Sequence, residues 1–322
     1  MATTTLNAEQ VIAEVATRCR NWGRWGEDDV LGTVNFITGD KRLQAARLVR
    51  KGLSISLSQS FDMDGPQKGW RRRTNPVHTM IDSGTDAACG VQGFPHGFGG
   101  ADDVIFMPLQ ASTQWDGLGH IFDHGTAWNG RPAGQVVTGA GDQVTGIEHL
   151  ASPVVSRGVL LDVGRAFGDN GELPDGFAIT EEHLQKTITA QGPTATVGRG
   201  DIVVVRTGRL ARARRDGWGD YAGGDSPGLS FGTADWLHCT EIAAIATDTW
   251  GFEVRPNELP GAFQPLHQVV IPNMGLLIGE MWDLDTLAAD CADDGVYEFL
   301  LTAPPLKVTG AVGAPLNPIA MK

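Results

Sequence analysis

Past Asp103 the chain alternates short apolar runs of strand length with segments of helical period, and this alternation restricts the folds open to it. Residues 104–109, 159–163 and 201–205 read as strands, and 242–246, 269–271 and 276–278 are further apolar stretches. Residues 299–301 and 306–308 read as closing strands. Between them, 179–189 has the pattern of a helix capped by Thr180, with Glu181 and Glu182 in its first turn. Residues 233–240 and 284–291 read as two more helices. Strands and helices in this order predict an α/β fold with a mixed sheet.

The chain before Asp103 is organised differently. Asn7 with Gln10 forms a capping-box pattern ahead of the apolar stripe Val11, Ile12, Val15 and Ala16, and the helix is expected to end near Asn21. Residues 40–49 read as a second helix with Gly52 as its cap, and 53–57 alternate like a half-buried strand. Residues 61–100 are rich in Gly, Pro, Asp and His and read as one long irregular loop, a feature usually tied to function in a compact domain.

Charge narrows the partners. A formal net charge of -13 repels phosphate backbones and anionic lipid, so neither nucleic acid nor membrane is expected, and a small-molecule substrate is. The basic cluster Trp70-Arg71-Arg72-Arg73 reads either as a solvated loop or as a contact for an acidic substrate or a neighbouring subunit. The four cysteines are widely spaced and form no C-x-x-C pair, so neither a disulfide framework nor a thiolate zinc site is expected. With no secretory leader pattern and no apolar run near the roughly 20 residues that span a bilayer, a cytoplasmic location is expected.

Two segments carry the chemistry. In the first, 110–120, Asp116 is a hard oxygen donor suited to a divalent ion, and His120 four residues on can be a ligand or a general acid and base. A turn-capping Asp and a surface His remain the plain alternative. In the second, His267 and Glu280 border apolar runs, and a carboxylate emerging from a buried strand needs a cation or an arginine beside it. His78, His96 and His124 flank the irregular region as pocket-lining or merely polar loop residues, and Asp248-Thr249-Trp250 follows a strand end that can face the same cleft. There is no G-x-S-x-G elbow and no Cys with a basic neighbour, which disfavours serine and thiol hydrolysis. Gly139-Ala140-Gly141 lacks the strand-to-helix setting of a dinucleotide loop.

Taken together, these residues resemble the cyclase family of metal-dependent hydrolases, which includes kynurenine formamidase, isatin hydrolase and trans-dienelactone hydrolase. The family pattern H-x-G-T-H-x-D-x-P-x-H places its Asp on Asp116 and its last His on His120, while Gln110 and Gln114 occupy the first two His positions and Leu118 replaces Pro. Residues 158–163, 200–208, 227–229, 247–249, 304–310 and 315–319 are similar to later family segments, so the resemblance runs from about Leu53 to the end. It implies a swivelling β/β/α domain over 53–322, with 1–52 as a helical N-terminal extension packed on the core, assembled as a homodimer or homotetramer.

The resemblance also implies a site. Two-metal members hold one ion with the two pattern His and the Asp, and a second with that Asp and a later His and Glu. Here the second set survives as Asp116, His267 and Glu280, implying one divalent ion, zinc or manganese. His120 is then the catalytic acid and base, and Gln114 steadies the oxyanion. Gln110, Trp115, His78 and His96 are candidate substrate contacts, and Trp22, Trp25, Phe94 and Phe98 candidate pocket walls. The implied reaction is hydrolysis of an amide or lactone in a small, cyclic or aromatic-derived molecule. The alternatives are a metal-free lyase or isomerase using His120 and Asp116, and a ligand-binding protein without catalysis.

Overall fold

The computed structural model describes residues 7–322, so residues 1–6 of the expected N-terminal extension lie outside the described residues. One nine-stranded mixed sheet organises the chain. Its strands are β1 (Ser54–Ser56), β2 (Gln114–Asp116), β3 (Val155–Asp162), β4 (Ile202–Arg206), β5 (Ala244–Thr247), β6 (Leu277–Glu280), β7 (Glu298–Thr302), β8 (Gly313–Pro315) and β9 (Ile319–Met321). They lie side by side in the order β1-β9-β7-β3-β4-β5-β6-β2-β8. β3 to β6 run parallel, and the strands on either side of them pair antiparallel.

The parallel centre explains why its strands read as unbroken apolar runs. Val203, Val204, Ile245, Ala246 and Ile278 are fully buried, because layers cover both faces of a parallel sheet. Helices α1 (Ala8–Arg18) and α2 (Gly39–Ala46) belong to those layers, and Ile12, Val15 and Ala16 of α1 join the same core as the sheet. α1 starts at the Asn7–Gln10 capping box. α3 (Glu181–Gln191) starts at Thr180, whose side chain accepts from the His183 N–H. α4 (Ala234–Cys239), α5 (Pro265–Val269) and α6 (Asp285–Asp294) complete the helices used below. Among the described residues, no helix is long and apolar enough to cross a membrane.

Several expectations are corrected. The apolar run at 104–109 does not feed the segment that follows it. Its strand, Asp102–Phe106, pairs instead with Val77–Asp82 in a separate two-stranded ribbon whose residues are all exposed. β-propensity marks a strand but does not choose its partner. The 61–100 region is therefore not one irregular loop, since it holds that ribbon's first strand and a helix, Gly84–Ala88, capped by Ser83. The apolar stretch at 269–271, which the sequence alone assigns to no element, closes α5 and enters a wide helical turn, Val270–Met274. Residues 306–308 form no strand, and β8 and β9 close the sheet instead. Gly52 caps no helix, because α2 already ends at Ala46.

Candidate metal centre

β2 and β6 are antiparallel neighbours, with Gln114 opposite Glu280 and Asp116 opposite Ile278. Side chains alternate along a strand, so Gln114, Asp116 and Glu280 share one face and Trp115 takes the other. On that other face Trp115 meets Trp282 edge-on at 4.8 Å and donates from Nε1 to the Ala303 carbonyl at 2.7 Å. Trp115 is therefore a core residue; the expected substrate contact fails on strand parity. Gly279 makes this packing possible, since a Cβ there would lie 2.7 Å from Trp282 Nε1 and 2.8 Å from Trp115 Cζ3.

After β2 the chain turns tightly, with the His120 N–H donating to the Gly117 carbonyl at 3.0 Å. Gly119 permits the turn, because a Cβ there would stand 2.1 Å from Asp142 Oδ2. The turn brings His120 Nε2 to 3.7 Å from Asp116 Oδ2. Burial lowers the His120 imidazole to about 4, so it is neutral at physiological pH. Burial likewise raises the Asp116 carboxyl.

His267 comes from the first turn of α5. Its Nε2 lies 3.1 Å from Glu280 Oε1, and its Nδ1 lies 2.5 Å from Glu253 Oε1. Glu253 also accepts from the backbone N–H groups of Leu266 and His267, at 3.2 and 3.0 Å, in the position where a helix start leaves donors free. Burial opposes a charged His267, but the hydrogen bonds to Glu253 and Glu280 outweigh it and raise the ring to about 10.

One ligand atom each from Asp116, His267 and Glu280 lies within 4.8 Å of the others. Tetrahedral donors about 2.1 Å from a shared ion are about 3.4 Å apart, so the three must draw together by at most about 1.4 Å to ligate one ion. Two buried carboxylates and an imidazole are donors suited to a divalent ion, and a third buried carboxylate, Glu253, adds to the need for positive charge. The residues present fit a divalent ion.

Gln114 bridges the carboxylates, with Nε2 at 3.0 Å from Asp116 Oδ1 and 3.1 Å from Glu280 Oε2. Both its N–H bonds are thus engaged and its buried Oε1 has no partner, so Gln114 holds the two acids rather than donating to an oxyanion. Gln110 Nε2 is also buried without a partner, beside Gly313 and outside the cavity.

The cavity at this face holds about 10 Å³, room for roughly one water, and is lined by Arg71, Arg73, Asp116, His120, Trp250, Gln264, His267 and Glu280. His78 and His96 are not among these residues. Both are exposed, His78 on the ribbon bonded to Asp103 at 2.8 Å and His96 in the turn between its strands, because that ribbon stands away from the main sheet. Phe94 and Phe98 meet edge-to-face there, and Trp22 and Trp25 pack by Pro272, Phe36 and Trp128. None of the four walls the cavity. Asp248 lies outside it too, accepting from Thr207 and Gly208, with burial raising its carboxyl to about 6.

Sequence reading missed Glu253 and Gln264 and left Arg73 inside an undecided basic cluster. Glu253 did leave a signal: it is a lone acid between the apolar Phe252 and Val254, a setting that demands a buried partner.

Comparisons with known proteins agree on one relationship. A family model described as putative cyclase matches residues 52–254. A crystal structure described as a novel cyclase is 39% identical, aligns 94% of this chain with 100% of its own, and has a TM-score of 0.86. Isatin hydrolase A from Ralstonia solanacearum shares the fold at 16% identity and TM-score 0.62, over 87% of this chain and 94% of its own. A predicted metal-dependent hydrolase from Bacillus stearothermophilus does so at 17% identity and TM-score 0.51, over 83% and 97%. No curated protein matches the chain in sequence.

Proposed function

Because the chain belongs to the putative cyclase family, we propose that it is a metal-dependent hydrolase opening an amide or lactone bond in a small molecule. The observation that carries this reading is the buried Asp116, His267 and Glu280 cluster, with Glu253 fixing the His267 ring. These three residues would hold one ion, zinc or manganese. When bound there, such an ion supplies Lewis-acid polarisation of a carbonyl and a lowered pKa for water in contact with it.

The chain's own residues do the rest. Glu253 accepts from His267 Nδ1 and leaves Nε2 facing Glu280. Gln114 keeps the Asp116 and Glu280 carboxylates side by side. His120, neutral and next to Asp116, takes the proton from attacking water and returns it to the departing nitrogen or oxygen. Trp250 and the tight cavity keep bulk water out.

The proximity of His120 and Asp116 favours a second reading, a metal-free acid–base pair for a lyase or isomerase reaction. Metal analysis of protein purified without chelators, with a screen of formamides, cyclic amides, lactones and esters, separates the two. The hydrolase reading expects about one divalent ion per chain, lost together with turnover in Asp116→Ala and Glu280→Ala. Full turnover after exhaustive chelation would sink it.

We also propose a homo-oligomer. The ribbon of Val77–Asp82 and Asp102–Phe106 exposes Ile81, Ile105 and Phe106, and an isolated two-stranded ribbon is marginal in water unless something packs on it.

A further inference from the structure

We propose that Arg73 is the receptor for a carboxylate on the substrate, so that the site takes an anionic amide or lactone rather than a neutral one. This rests on the hydrolase reading above.

The Arg73 side chain is 7% exposed and lines the cavity beside Asp116, His120 and Glu280. Among the described residues, no carboxylate oxygen lies within 4.0 Å of its guanidinium, and the side chain makes no hydrogen bond. A guanidinium carries five donors in a fixed fork, and the Arg73 nitrogens are not sealed from solvent, so the fork opens on the cavity instead of being closed off in the core. Burial lowers the pKa of this group, yet an arginine stays charged, so its charge awaits a partner.

Asp116 and Glu280 do not supply that partner. Their oxygens already meet Gln114 and His267, and a divalent ion between them would neutralise what charge remains. With the ion bound, Arg73 and the neighbouring Arg71 leave the cavity positive, which suits one added anion.

Two further features fit this role. The Arg73 guanidinium carbon lies over the Trp250 ring, 5.3 Å from its centroid, a cation–π contact that uses none of its N–H donors on an acceptor. Gln264, also 7% exposed, lines the same cavity with a side-chain amide that makes no hydrogen bond. A planar fork beside an amide matches a carboxylate, which accepts two parallel N–H bonds. The cavity of about 10 Å³ is too small for an organic molecule, so it must widen as substrate enters.

The test titrates zinc- or manganese-loaded protein with benzoate and benzamide by calorimetry, and assays N-formylanthranilate against formanilide, which differ by one carboxylate. Wild type should favour the carboxylate of each pair by about tenfold or more. Arg73→Met should erase that preference at unchanged metal content, and Arg73→Lys should keep part of it. No preference in wild type, or an equal loss for both members of a pair in either variant, overturns the proposal. If no formamide, lactone or ester turns over but benzoate still outbinds benzamide through Arg73, the hydrolase reading fails and the anion receptor stands.

Discussion

Glu253 holds His267 twice through a single oxygen: Oε1 accepts from the His267 backbone N–H at 3.0 Å and faces its ring Nδ1 at 2.5 Å. The ring can then offer only Nε2 to the cluster, and its basicity is raised. Glu253→Gln keeps the shape but removes the charge. Divalent-ion affinity should fall about 10–100-fold, measured by competition with a chelator of known strength. An unchanged affinity would mean that Glu253 merely closes the start of α5.

The same contacts set a pH dependence. Burial works against a proton on His267, but Glu253 and Glu280 raise the ring to about 10, so the metal-free site carries that proton at neutral pH. An incoming divalent ion must displace it. About one proton should be released per ion bound, and affinity should climb about tenfold per pH unit between pH 6 and 9. Calorimetry in buffers of different ionisation heat counts the protons, and a flat profile would show a ring already neutral.

Gly279 separates stability from chemistry. A Cβ there would stand 2.6 Å from Ala246 Cβ as well as against both tryptophans, on the face of β6 away from the candidate ligands. Gly279→Ala should destabilise the fold by about 1–3 kcal/mol through overpacking. Urea unfolding followed by tryptophan fluorescence measures this, and the folded variant should still bind its ion.

The exposed ribbon makes assembly testable. Ile81 and Phe106 are 65% and 74% exposed, on strands that face solvent throughout. Ile81→Glu combined with Phe106→Asp should shift the mass in light scattering toward the monomer. A wild-type protein that is already monomeric would refute the proposed oligomer.

Local sequence was enough wherever a short-range physical signal sufficed. The capping boxes at Asn7 and Thr180 start helices because a side chain three residues from its partner needs no tertiary help. The apolar runs in β3, β4 and β5 are central strands because only a strand covered on both faces lacks polar alternation. Resemblance singled out Asp116, His267 and Glu280, and strand parity could already have turned Trp115 into the core.

Tertiary structure decided what no local pattern encodes. Strand 102–106 could have joined the main sheet but pairs with 77–82, which carries His78 and His96 away from the cavity. Arg73 and Glu253 sit 43 residues before and 137 after Asp116 in sequence, yet both meet at the cluster. Secondary structure follows from neighbours a few bonds away, whereas a buried charge finds its partner only once distant strands and helices have packed.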